Sequence, residues 1–394
     1  RDQGKLDFLA LTPHTADDEG SQANHPNMDN SGFQHIIDEA NQITDMSGGM
    51  FLAIPGMEWN TNSAGNHVTI IGSKQLAKME RGRFDLLYNE FLPQRKAQGE
   101  NVFIGLNHPR TFRKYTETLN GNWDQVFGVN LLEIPNNGQR NNKFNDFGLD
   151  DYPPLNTVYE QWISGQSIPD ANTVFQTLQN VNTASAPYAR FMEVLVGRGK
   201  ELNSEIPTNP SLVTRDEGAL ERFTRVHHDW DYYLLNGFQL APTAPHDNHF
   251  ANWGTGHTSR TGIVSLSLRE DDIFDAIDQR AMYATEDQNT VIRVYADNRV
   301  PMGSTIATTG NSVNLNVLFR DPDSTESYEV SVYQGTVGGS EVRISQTLTV
   351  SNDQWSNIEV DCAAPGRHFV YLEIHAPTMN RMSWSSPVWI DSLK

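Results

Sequence analysis

The chain has 394 residues, 37% of them hydrophobic and 20% charged, enough to build a sizeable core in about two domains. Its 29 basic and 49 acidic residues leave a net charge of −20, which argues against binding to a phosphate backbone or an anionic membrane, since both require a basic surface. No apolar run reaches the ~18 residues of a membrane-spanning helix. The single cysteine, Cys362, excludes an intrachain disulfide framework, so any metal site must draw on His, Asp and Glu.

The chain opens on Arg1 rather than Met, and a processed or trimmed start is the expectation. The acidic, Asn-rich, Lys-poor composition suits a secreted or periplasmic bacterial protein. Residues 6–11 (LDFLAL) predict a buried strand. Residues 32–46 predict an amphipathic helix with Phe33, Ile36, Ile37, Ala40 and Ile43 on one face. Strands follow at 51–55 (FLAIP), 67–71 (HVTII), 101–106 (NVFIGL), 128–134 (GVNLLEI) and 190–196 (RFMEVLV). Helices are predicted around 84–99, 216–236 and 271–280. Strands separated by helices imply a parallel sheet or a βα barrel.

Beyond about residue 288 the hydrophobic pattern alternates with period two, over 290–295, 313–319, 328–333, 342–350, 358–361, 369–375 and 387–390. Turn residues such as Asp321-Pro322-Asp323, Gly338-Gly339 and Pro365-Gly366 separate these runs, the pattern of an all-β sandwich. The expected organisation is a domain of alternating strands and helices over residues 1–286 and a sandwich over 287–394.

Metal-ligating residue types sit beside the apolar runs of the first part. His14 follows residues 6–11, Glu58 follows 51–55, His67 opens 67–71, His108 follows 101–106, and Asp247 and His249 follow a later hydrophobic stretch. In a βα barrel the carboxyl ends of strands converge at one mouth. His67, at the start of its run, needs a preceding loop or hairpin to reach that mouth. Taken singly, each of these is more readily a polar rim residue than a ligand; their succession is what points to divalent metals held by imidazole and carboxylate.

The motifs resemble those of the polymerase and histidinol phosphatase (PHP) family. Residues 6–14 (LDFLALTPH) are similar to its strand-Thr-Asp-His motif, Gly56-Met57-Glu58 to Gly-x-Glu, and Gly65-Asn66-His67 to Gly-x-His. Asn107-His108-Pro109, Leu132-Glu133-Ile134 with Asn136, residues 230–237 (WDYYLLNG), Asp247-Asn248-His249 and Arg260-Thr261 resemble later motifs in the same order. The ending Ser386-Pro387-Val388-Trp389-Ile390 resembles the terminal strand of a secreted, carbamate-hydrolase-like branch that carries a C-terminal sandwich.

The resemblance implies a distorted barrel of about seven βα units followed by the sandwich. It implies hydrolysis, chiefly of phosphomonoesters or phosphodiesters, by a hydroxide bridging about two to three divalent ions such as Zn, Mn or Fe. Glu58, His67 and His108 would share one metal, with Glu58 bridging to a second; His14 and His249 would hold another, and Asp247 a further one. The substrate would be a small-molecule ester, and the same site would also suit a carbamate, ester or amide. Two departures stand out. The family's first motif, His-x-His, would lie upstream of residue 6, and Pro13 stands where the family has Asp. A non-enzymatic binding or matrix protein with a degenerate metal site is the reading those departures favour.

Three further residues are candidates for contact with substrate. Arg110 could clamp an anion bidentately or form a surface ion pair. His257 and Arg260 lie in a Gly-rich loop (GTGHTSRTG) that either touches substrate or makes no contact.

Overall fold

The computed structural model describes residues 6–15, 28–59, 67–79, 83–107, 126–130, 230–245, 254, 258–378 and 381–394. One compact unit comprises Arg1–Leu131, His227–Ala244 and Arg260–Lys394. A second comprises Leu132–Val226 and Pro245–Ser259, and only Pro245, Gly254, Thr258 and Ser259 of it are described.

In the first unit, β1 (Phe8–Leu11), β2 (Leu52–Trp59), β3 (Val68–Ile71), β4 (Phe103–Leu106), β5 (Val126–Asn130) and β6 (Ala241–Thr243) form a six-stranded sheet in that order. The sheet is mixed. β1 and β2 run parallel, as do β4, β5 and β6, but β3 is antiparallel to both of its neighbours.

This corrects the expected (βα)7 barrel, which is not present among the described residues. Such a barrel needs every strand parallel and a crossover helix after each. Here β2 and β3 pair antiparallel from Gly56↔Ile71 to Trp59↔Val68. The described helices are few: α1 (Asn30–Met46), α2 (Phe84–Leu86) and α3 (Leu92–Ala97), joined by a π turn at Leu87–Phe91, a helical stretch at 230–235, and α4 (Glu270–Asp278). None is long and apolar enough to cross a membrane.

Asp29 caps α1 by accepting a 2.7 Å hydrogen bond from the Gly32 amide, satisfying one of the orphan donors of the first turn. Phe33 and Ala40 are buried and Ile36 and Ile37 partly so, but Ile43 remains 50% exposed, so the apolar stripe ends a turn earlier than its periodicity predicts. The Thr44 hydroxyl accepts from the Ala53 amide at 3.0 Å and so ties α1 to β2. On one side of the sheet, Leu52, Ile54, Ile71 and Phe103 pack with Ile273, Phe274 and Ile277 of α4.

The rest of the unit is two sheets packed face to face. Four strands, β10 (Val300–Pro301), β9 (Val291–Ala296), β12 (Ser312–Arg320) and β15 (Gln354–Asp361), form one sheet. The other runs β11 (Thr305–Thr308), β18 (Val388–Ser392), β16 (Gly366–Ala376), β17 (Arg381–Ser385), β8 (Met282–Thr285) and β7 (Arg260–Ile263), with β13 (Ser327–Thr336) on β16 and β14 (Val342–Ser351) on β13. Alternate residues enter the shared core, Val313, Leu315, Val317 and Phe319 from β12 against Val330, Val332, Val370 and Leu372. The pairing continues across residue 286, because Trp384 of β17 stands opposite Ala284 of β8.

The helical residues 230–235 are tied to β16. The Trp230 ring meets Tyr371 at 4.4 Å, Tyr371 stacks on Tyr333 at 5.0 Å, and the Tyr371 hydroxyl donates a 2.7 Å hydrogen bond to Asp231. Burial pushes the Asp231 carboxyl up to about 7; the negative charge of Glu373 acts in the same direction, and the Tyr371 hydrogen bond opposes both. The unfolded group ionises near 3.8, so it releases its proton before the folded one does. The stability that protonated Asp231 contributes is therefore complete below that value and is lost as pH rises towards 7. Thermal melts across this range should show the wild type losing stability relative to Asp231→Asn as pH rises. A constant or opposite difference would contradict the assignment.

Candidate metal centre

Three strand ends and one strand start meet at one edge of the six-stranded sheet. Beyond β1 the chain continues as Thr12-Pro13-His14 alongside the end of β2. Glu58 N–H donates to Pro13 O at 2.9 Å, and Thr15 N–H donates to Glu58 O at 2.9 Å, giving a parallel bridge between His14 and Glu58. Pro13 serves here as an acceptor, a role its missing N–H leaves intact. Gly56 permits the close approach of these strands, because a Cβ there would stand 2.9 Å from both Ile70 O and Thr12 Cγ2.

The antiparallel β3 solves the placement of His67. Its start lies beside the ends of β2 and β4, with Val68 opposite both Trp59 and Leu106. Asn107, just past β4, donates its amide N–H to His67 O at 3.2 Å.

Glu58 is the centre of the cluster. One carboxylate oxygen, Oε1, lies 3.0 Å from His67 Nδ1 and accepts from Asn107 Nδ2 at 2.8 Å; the other, Oε2, lies 2.9 Å from His14 Nε2. The His14 and His67 rings meet edge to face at 4.9 Å. Donor atoms of His14, Glu58 and His67 all lie within 4.8 Å of one another. The cluster is closed on one side and open on the other: the Glu58 and His67 side chains are 7% and 10% exposed, that of His14 38%.

Asn107 and Thr69 support the carboxylate without belonging to the predicted set. Thr69 faces Glu58 across β2 and β3, and its hydroxyl pairs with the Asn107 side chain at 2.9–3.1 Å. The hydroxyl holds the amide in place, and the Glu58 carboxylate, which can only accept, requires the amide nitrogen to point at it. Two features of the sequence carry the signal: a Thr two residues after His67 in an otherwise apolar run, and an Asn directly before His108.

Of the predicted site residues, the structure thus brings His14, Glu58 and His67 together. His108, Arg110, Asp247, His249 and His257 lie outside the described residues. Arg260 opens β7 opposite Thr285; burial pushes its guanidinium down to about 10, and the charge of Asp287 opposes that shift.

This donor set fits a divalent cation. Two imidazoles and a carboxylate are the ligands that borderline metals such as Zn and Fe accept, and a buried carboxylate needs compensating charge or hydrogen bonds. No family model matches the chain, and no curated protein matches it. Removing the Asn107 amide strands part of a buried charged group. Asn107→Ala should cost about 1–3 kcal/mol in urea unfolding, and Thr69→Ala, acting through Asn107, less. A neutral Asn107→Ala would contradict the role given to this amide.

Proposed function

We propose that His14, Glu58 and His67 are ligands of a divalent-metal centre, and that the chain is a metal-dependent hydrolase of ester bonds, phosphomonoesters or phosphodiesters first. The observation that carries the proposal is the Glu58 carboxylate, 7% exposed, with each of its oxygens directed at a different imidazole. Its own strand partners would not require such an arrangement, and it provides preformed nitrogen and oxygen donors in one place.

A divalent ion at these donors supplies Lewis acidity and lowers the pKa of water towards neutrality. The chain's residues do the rest. Glu58 offsets the cation's charge, and Asn107, fixed by Thr69, holds one of its oxygens in place. The His67 side is closed to solvent, so substrate would approach past His14, the most exposed of the three. The motif order over residues 6–14, 56–58, 65–67, 107–109 and 247–249 supports hydrolysis as the reaction.

The proposal predicts at least one equivalent of Zn, Mn or Fe per chain, read by plasma mass spectrometry on protein purified without added metal or chelator. Glu58→Gln should abolish stable retention, and Asn107→Ala should weaken affinity roughly 10–100-fold. The loaded wild type should turn over p-nitrophenyl phosphate or bis-p-nitrophenyl phosphate, and Glu58→Gln should not. Absence of metal after incubation with Mn and Zn would overturn the proposal. Turnover of a naphthyl carbamate alone would retain the centre and replace phosphoester by carbamate as substrate.

A further inference from the structure

The four-stranded sheet has an outer face that no described element covers. Its inward residues, Ile292, Val294, Leu315, Val317, Ile358 and Val360, fill the core between the two sheets. Their neighbours in the alternation point outward. The register places Tyr295, Asn316 and Asn357 in one row across β9, β12 and β15, and Arg293, Leu318 and Trp355 in the next.

Tyr295 and Trp355 are therefore two strands apart, on opposite sides of β12. Their rings nevertheless approach to 6.0 Å, tilted by 44°, so the two lean together over the middle strand. Trp355 remains 55% exposed. A large aromatic left half in water on a regular sheet face gains nothing from folding by its outer surface, and such rings serve as stacking surfaces for ligands with apolar faces.

Amide groups surround the rings. Asn316 lies between Tyr295 and Asn357, and its Nδ2 is buried with no hydrogen-bond partner among the described residues. An unsatisfied donor of this kind costs about 1–3 kcal/mol, which rotation of the amide towards a ligand hydroxyl would recover. Asn357 donates only a long 3.4 Å bond to Asn314, and Glu359 stands opposite Asn314.

Charge narrows the ligand further. The outward charges at this face form a mixed balance that leans acidic, Arg293 and Arg320 beside Asp297, Asp353, Glu359 and Asp361, and the chain as a whole carries −20. A neutral, hydroxyl-rich ligand matches this balance, and a polyanion is repelled by the chain's overall charge. A protein partner would call for a broad apolar centre, whereas this face offers two rings and Leu318 among amides and charges.

We propose that the outer face of β9, β12 and β15 binds a neutral polysaccharide chain. Sugar rings stack on Trp355 and Tyr295, and Asn314, Asn316, Asn357 and Glu359 hydrogen-bond the hydroxyls. The tilt between the two rings suits a soluble chain whose successive sugar faces turn, rather than a flat crystalline surface. The inference is independent of the metal centre.

The test is native affinity electrophoresis of the full chain in gels containing mixed-linkage β-glucan, xylan or glucomannan, with alginate as the anionic counterpart. At least one neutral polysaccharide should retard the wild type, and alginate should not. Trp355→Ala should weaken the retardation at least tenfold with an unchanged melting temperature, while Trp355→Phe keeps part of it. Tyr295→Ala provides the same reading should Trp355→Ala fail to fold. Retardation by none of the neutral polysaccharides, by alginate alone, or equally by wild type and both alanine variants would overturn the proposal. So would a concentration-dependent dimer in sedimentation that Trp355→Ala abolishes, since the face would then be covered by a second copy.

Discussion

A buried carboxylate has to be compensated, and Glu58 is compensated by groups from three other chain segments. His14 comes from beyond β1, His67 from the start of β3, Asn107 from beyond β4, and Glu58 itself from β2. The isolated charge would be far too costly to bury, so these segments have to arrive together. The cluster and the sheet edge therefore depend on one another: strand pairing brings the donors into range, and the donors make the buried charge tolerable. The arrangement has the form of a metal-ligand set, with charge opposite imidazole and an amide holding one oxygen in place.

The direction of β3 is the structural decision behind this. Antiparallel pairing turns its first residue towards the ends of β2 and β4, which a parallel strand in the same position would not do. The eight-stranded sheet is bound to an earlier part of the chain by a different set of contacts. There the Asp231–Tyr371 hydrogen bond and the Trp230–Tyr371–Tyr333 ring series join residues 230–235 to β16 and β13. One connection is sensitive to proton release by a half-buried acid; the other rests on a carboxylate held between imidazoles.

Much of this was legible in residue order. The apolar runs at 6–11, 51–55, 67–71 and 101–106 mark strands, and the polar residues flanking them mark where His14, Glu58 and His67 converge. Period-two alternation over 313–319 identifies which β12 side chains enter the core. Strand direction was not legible, because a four- or five-residue apolar run reads the same in either sense and the choice is made by distant partners. The placement of His67 before its strand, rather than after it, was the local trace of the antiparallel pairing that replaces the expected barrel. Asn107, present only as part of the motif at 107–109, and Thr69 did not stand out as site residues because their roles arise only from register, Thr69 opposite Glu58. Ile43 shows the converse, a residue with the right helical spacing and nothing to pack against.

The central claim is that His14, Glu58 and His67 ligate one cation. X-ray absorption at the metal edge of the Zn- or Mn-loaded chain tests it most directly. The account predicts a first shell of nitrogen and oxygen with the multiple-scattering signature of imidazole, and a lower imidazole count in His67→Ala. A shell of oxygen alone, or an imidazole signature unchanged in that variant, would contradict it.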